Sequence, residues 1–161
     1  MRVLVLALVL SACGPQQRSS ASNDAGAGLE AAASAAGLIA DPGGSLVGAW
    51  ARDSDRVCIV PRADGTTRIG VVVDYGDGQA CAASGIVQRS GDKLRVQLED
   101  CRFEARFDGE RLIFPAELPI ACERLCRGRA SLAALAVERQ GASSSEAATL
   151  RGPGGRALCG S

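Results

Sequence analysis

A two-residue alternation of apolar and polar positions dominates the middle of the chain. Leu94, Val96 and Leu98 fall on one side of an extended segment, with Arg95, Gln97 and Glu99 on the other. Cys101, Phe103, Ala105 and Phe107 alternate in the same way with Arg102, Glu104, Arg106 and Asp108. This period marks strands that turn one face to a core. β-Favouring segments are predicted at 47–51, 56–61, 67–75, 80–89, 93–99, 101–107 and 111–114. Between them stand Asp64-Gly65, Asp77-Gly78, Gly91-Asp92 and Asp108-Gly109, the dipeptides of tight hairpins. The pattern breaks at 115–126, where a loop with a short helical turn near 119–126 is expected. Residues 130–139 are ambiguous, because Leu132, Leu135 and Ala136 fit a helix as well as a strand; a closing strand near 135–139 is the expectation. The predicted fold is mainly β: a small antiparallel meander, or a barrel that removes its own edges.

The flanks differ. Residues 14–44 are rich in Ala, Ser and Gly and read as a flexible tether, with a root-mean-square span of roughly 30 Å. A short Ala-rich helix over 29–39 is compatible with that composition. Residues 141–161 return to Gly, Ser and Ala and are expected to form a flexible tail. The β domain is therefore assigned to 45–140.

The start of the chain has a character of its own. Arg2 precedes an apolar run from Val3 to Leu10, far short of the roughly 20 residues that cross a bilayer. A positive start, a short apolar run and then small residues describe an export signal. Leu10-Ser11-Ala12-Cys13 resembles the bacterial lipobox, an aliphatic residue and two small ones before Cys. The resemblance implies that 1–12 is a signal peptide, removed before Cys13, and that 13–44 is a lipidated tether. It also implies a diacylglyceryl thioether on Cys13 and, in many bacteria, an acylated new terminus. Gly14 stands where Asp favours inner-membrane retention in proteobacterial lipoproteins, so the resemblance leans to the periplasmic face of an outer membrane. The membrane, reached through the lipid on Cys13, is then the first expected partner.

An exported domain lies in an oxidising compartment, which changes how the cysteines are read. Setting Cys13 aside, an even six remain: Cys58, Cys81, Cys101, Cys122, Cys126 and Cys159. They read as a disulfide framework. The expected pairings are Cys126 with Cys159, stapling the tail, and Cys122 with Cys101 or Cys58. A metal reading of Cys122 and Cys126 lacks a second pair or a His at zinc-site spacing, and their spacing is not that of a Cys-x-x-Cys redox centre. No metal and no cofactor are expected.

Composition narrows the chemistry. The chain of 161 residues has no His, which excludes His-based triads and His general bases. Acidic and basic residues balance at 18 each, so no global field draws the chain to nucleic acid. All the basic residues but Lys93 are Arg, which fits codon bias or a need for bidentate anion contacts. Asp74-Tyr75-Gly76-Asp77-Gly78 lacks the Glu of a calcium loop, since position 84 is Ser, and reads as a polar hairpin turn. Glu99 and Glu104 fall on the polar face, which argues against a buried acid–base pair. Arg124, Arg127 and Arg129 cluster around Cys126 and could contact phosphate or carboxylate groups of an envelope partner.

Gly48-Ala49-Trp50 opens the first predicted strand. A Gly-x-Trp followed by a β meander resembles the calycins, which include the lipocalins and the small β-barrel inhibitors of bacterial proteases. In lipocalins that Trp closes one barrel end against an Arg from the last strand, and the resemblance gives this part to Arg139. It covers about residues 46–140, short for a lipocalin and nearer the inhibitor barrels, and the Cys-rich region after Phe114 fits neither. The expected function is that of a non-catalytic module that binds or inhibits a protein in the envelope. A structural or assembly factor of an outer-membrane complex, or a calycin-type carrier of a small ligand, are the alternatives.

Overall fold

The computed structural model describes residues 26–29, 31–32 and 44–160. Residues 26–29 and 31–32 are helical, earlier than the predicted 29–39; the remainder of that prediction lies outside the described residues, as does Cys13.

From Gly44 the chain builds a closed barrel of eight antiparallel strands in sequential order. They are β1 (Gly48–Arg52), β2 (Asp55–Pro61), β3 (Thr67–Asp74), β4 (Ala80–Ser90), β5 (Lys93–Leu98), β6 (Cys101–Phe107), β7 (Arg111–Ile113) and β8 (Ala136–Gly141). The predicted strands are all present, and the ambiguous segment closes the barrel as β8, pairing with β7 and β1. Leu135 falls just outside it and stays buried. The predicted turn near 119–126 is a 3-10 helix over Ile120–Leu125.

The alternation sets the register. Leu94 pairs with Ala105, Val96 with Phe103 and Leu98 with Cys101, so the apolar side chains of β5 and β6 enter the barrel together. Trp50, Val57, Ile59, Ile69, Val71, Val87, Phe107, Leu112 and Val137 join them in one core. An eight-stranded barrel is just wide enough for side chains to fill it, and here the filling is apolar, with Trp50, Phe107 and Phe114 as its largest buried side chains.

The two ends are closed differently. Residues 44–47 enter beside Trp50, which we term the entry end. At the far end lies the β7–β8 connection, with Leu132 and Leu135 buried against the core. Disulfides tie it to the far-end starts of two strands, Cys126 to Cys81 on β4 and Cys122 to Cys101 on β6. The Cys101 alternative for Cys122 is therefore the one realised.

The expected Cys126–Cys159 bridge does not form; Cys159 joins Cys58 on the outer wall of β2. The reason is that the tail is not a free appendage. Residues 142–160 form a strap over the outside of β2 and β3, where Cys58, Val60, Val72, Ala147, Leu158 and Cys159 make a second apolar cluster. The strap contains a single helical turn, α1 (Ser144–Ala147), capped by the Ser143 hydroxyl accepting from the Glu146 N–H at 3.2 Å. It then doubles back, with Leu158 N–H donating to Leu150 O and Gly152 N–H to Arg156 O. Arg68 on β3 fastens it by donating from Nε to Leu158 O at 2.6 Å. Gly70 lets the strap lie flat, since a Cβ there would stand 2.6 Å from Leu158 Cβ and 2.7 Å from Cys58 Sγ. The flexible tail expected for 141–161 is thus corrected: two-faced burial of β2 and β3 gives it an apolar surface to cover.

Candidate functional site

The entry end is a stack of cations and aromatic rings. The Arg139 guanidinium lies 4.2 Å from the centre of the Trp50 ring, and that of Arg89 lies 4.5 Å from the centre of Phe107. Trp50 and Phe107 meet edge to face at 5.6 Å. Both Arg side chains also grip backbone. Arg139 donates to the carbonyls of Ser45, Val47 and Gly109, and Arg89 to those of Gly44 and Gly91. Trp50 Nε1 donates to Leu46 O at 3.2 Å. Burial, with the Arg89 charge nearby, lowers the Arg139 pKa below the usual guanidinium value. Gly48 has a positive φ of 142°, and a Cβ on it would stand 2.0 Å from Gly141 O at a register shift between β1 and β8. The Gly-x-Trp pair thus has a local cause: Gly admits the bulged last strand, and Trp covers the core beneath Arg139. These groups hold the entering chain through backbone carbonyls and stacked rings.

The far end is arranged otherwise. A cleft of about 730 Å³ opens between the β3–β4 turn, the β5–β6 turn, the β7–β8 connection and the strap. One set of lining side chains is basic, with Arg124 and Arg127 on either side of Cys126 and Arg156 from the strap. Another is acidic, with Asp74 and Asp77 from the β3–β4 turn and Glu99 from the β5–β6 turn. Among the described residues, none of these six enters an ion pair. Asp74 Oδ1 accepts the Gly76 N–H at 2.9 Å, and Tyr75 N–H donates to Gln79 O, so the predicted polar turn is closed on itself. Disulfides hold two walls: Cys81–Cys126 fixes the backbone between Arg124 and Arg127, and Cys58–Cys159 fixes the strap that carries Arg156.

The predicted arginine cluster is therefore split and extended. Arg124 and Arg127 share the cleft, whereas Arg129 lines a neighbouring hollow of about 380 Å³ with Leu118, Glu123 and Ser131. The backbone explains this, because Gly128 turns the chain between them and the Arg129 N–H is drawn to Gln79 Oε1 at 3.3 Å. Arg156, Asp74 and Asp77 were not predicted as site residues. Arg156 could be placed only by knowing that the tail folds back. Glu104, on the outer face as expected, meets Lys93 Nζ at 2.9 Å instead of taking part in a site.

Among the described residues, no polar or charged side chain is fully buried, no cluster of three metal-ligating groups occurs, and no helix is long and apolar enough to cross a membrane. No family model, curated protein or solved structure matches the chain.

Proposed function

We propose that this chain is a lipid-anchored envelope module that binds a protein partner by surface contact and performs no catalysis. The observation that carries the reading is the far-end cleft, in which guanidinium groups without partners among the described residues stand on walls fixed by disulfides. Guanidinium groups on disulfide-fixed walls suit recognition, since little loop ordering is left for the binding step. The side-chain-filled barrel favours contact at the surface over carriage of a ligand inside. Catalysis generally relies on preorganised polar groups shielded from water, and the described core is apolar.

The place of action rests on Leu10-Ser11-Ala12-Cys13 and on the disulfides, which persist in oxidising compartments. We take the anchor to be lipid on Cys13 and the site to be the periplasmic face of an outer membrane. The Arg139–Trp50 contact has the form that the calycin resemblance implies, and the short strands suit the small inhibitor barrels of that group.

Two measurements test the proposal. Photo-crosslinkers placed at positions 124 and 156 in cells should capture a discrete envelope protein; a clean profile at both would dismiss the binding role. Purified protein should form a stable complex with an extracytoplasmic protease or lysozyme if the role is inhibition. Full retention of activity across such a panel would remove the inhibitor version and leave an assembly factor.

A further inference from the structure

The far-end cleft has a feature that an anion-binding patch would lack: its lining is of both signs. Arg124, Arg127 and Arg156 supply three positive charges, and Asp74, Asp77 and Glu99 three negative ones. The two sets form no ion pair with each other among the described residues. Disulfides fix the backbone that carries the basic set. The basic residues ride on the connection bridged by Cys81–Cys126 and on the strap bridged by Cys58–Cys159. Asp77 and Glu99 sit in tight turns at positive φ, 51° and 53°.

A ligand of one sign entering this cleft gains from one set and is repelled by the other. A ligand carrying both signs gains from both and relieves the uncompensated field across the gap. A flanking group suits a polypeptide: Tyr75, between cleft residues Asp74 and Gly76, is 56% exposed. Tyr and Arg are the residue types over-represented at the energetic centres of protein interfaces. We infer that the cleft is the docking site for a partner protein's segment bearing acidic and basic side chains a few residues apart. Arg156 is the specificity-determining member, delivered only when the strap is pinned.

This inference rests on the proposed binding function and assigns the chemistry of its partner. The probe is an array of immobilised heptapeptides in four classes: acid-only, base-only, mixed-sign and uncharged, each with and without one aromatic residue. The full chain with its disulfides formed is applied to it. Mixed-sign peptides should retain the protein about tenfold better than either single-sign class, and high salt should weaken the retention. Arg124→Ala with Arg156→Ala should abolish the preference, while Arg129→Ala and Arg102→Ala leave it unchanged. The isosteric, charge-removing changes Asp77→Asn with Glu99→Gln should shift the preference toward acid-only peptides. The double variant Cys58→Ser/Cys159→Ser should lose the preference while circular dichroism still reports the barrel. If that variant unfolds, Arg156→Glu in the bridged protein must show the same loss.

Equal retention of acid-only and mixed peptides by the unmodified protein would overturn the inference, as would a preference insensitive to Arg156 or no retention by any class. An empty array beside a crosslinked envelope partner would refute the cleft chemistry and spare the binding function. A selective array beside a clean crosslinking profile would do the reverse.

Discussion

At the residue scale, Arg139 shows how one side chain can serve packing and hydrogen bonding together. Its plane lies on Trp50 while its edge donates to backbone carbonyls from two segments. A Lys offers a point charge on a flexible stem and cannot reproduce both contacts. Arg139→Lys should therefore lower stability almost as much as Arg139→Ala, by about 1–3 kcal/mol in denaturant titration. Recovery of most of the stability by Lys would refute the account. Two carboxylates predict opposite pH effects. Burial raises the Asp55 pKa above its ordinary value, and its Oδ1 has no hydrogen-bond partner. Its folded form thus favours the proton, and its contribution is lost as pH rises through the raised pKa. At Asp108, burial works against the charge, but N–H donation from Arg111 and Glu110 and the Arg111 guanidinium outweigh it and lower the pKa. That contribution is present at neutral pH and is lost as pH falls through the lowered value. Asp55→Asn should raise stability at pH 7, and Asp108→Asn should lower it; unfolding midpoints across pH check both signs.

At the scale of elements, the legible part of the sequence was the part with a one-sided environment. β5 and β6 bury one face, so strict alternation announced them. β2 and β3 contain unbroken buried runs, Val57 to Val60 and Ile69 to Val73, because the strap covers their outer face. Those runs were a readable sign of two-sided burial. The covering segment hid behind its composition: Gly, Ser and Ala suggest disorder, yet Ser143 and Glu146 have the spacing of a helix-capping pair, and Leu158 beside Cys159 is an apolar anchor. The cleft was half legible, because Arg124 and Arg127 lie near each other in sequence, while Asp77 and Glu99 share the cleft only through the closed barrel and Arg156 only through the folded-back strap. Filling the gap under the strap should be disruptive. Gly70→Val should cost about 1–3 kcal/mol through overlap with Leu158 and Cys58. Removing the Cys58–Cys159 bridge, which spans 101 residues, should cost up to about 5 kcal/mol in the chain-entropy account. In both variants, hydrogen exchange at the Leu158 and Gly152 amides should quicken before that of the barrel strands. Uniform protection in strap and barrel would contradict this.

At the scale of the whole molecule, the barrel places the stacked arginines and the charged cleft at opposite ends. The stacked arginines hold the incoming chain at the entry end, and the charged cleft opens at the far end. If Cys13 carries the lipid, Cys13→Ala should move the protein from the membrane fraction to the soluble envelope fraction without altering its unfolding midpoint. Persistence in washed membranes would remove the anchor proposal.

Closing the sheet also has a mechanical consequence. Six of the eight strands have five to eight residues and, tilted as in other small barrels, set the cleft roughly 15–20 Å beyond the point where the chain enters at Gly44. A pull along the entering chain meets the Arg139 and Arg89 grip first, and the Cys81–Cys126 and Cys101–Cys122 bridges lie at the far end beyond it. Load arriving from an anchored end would thus loosen the entry segment before it reached the proposed docking cleft, so the cleft would keep its shape under tension.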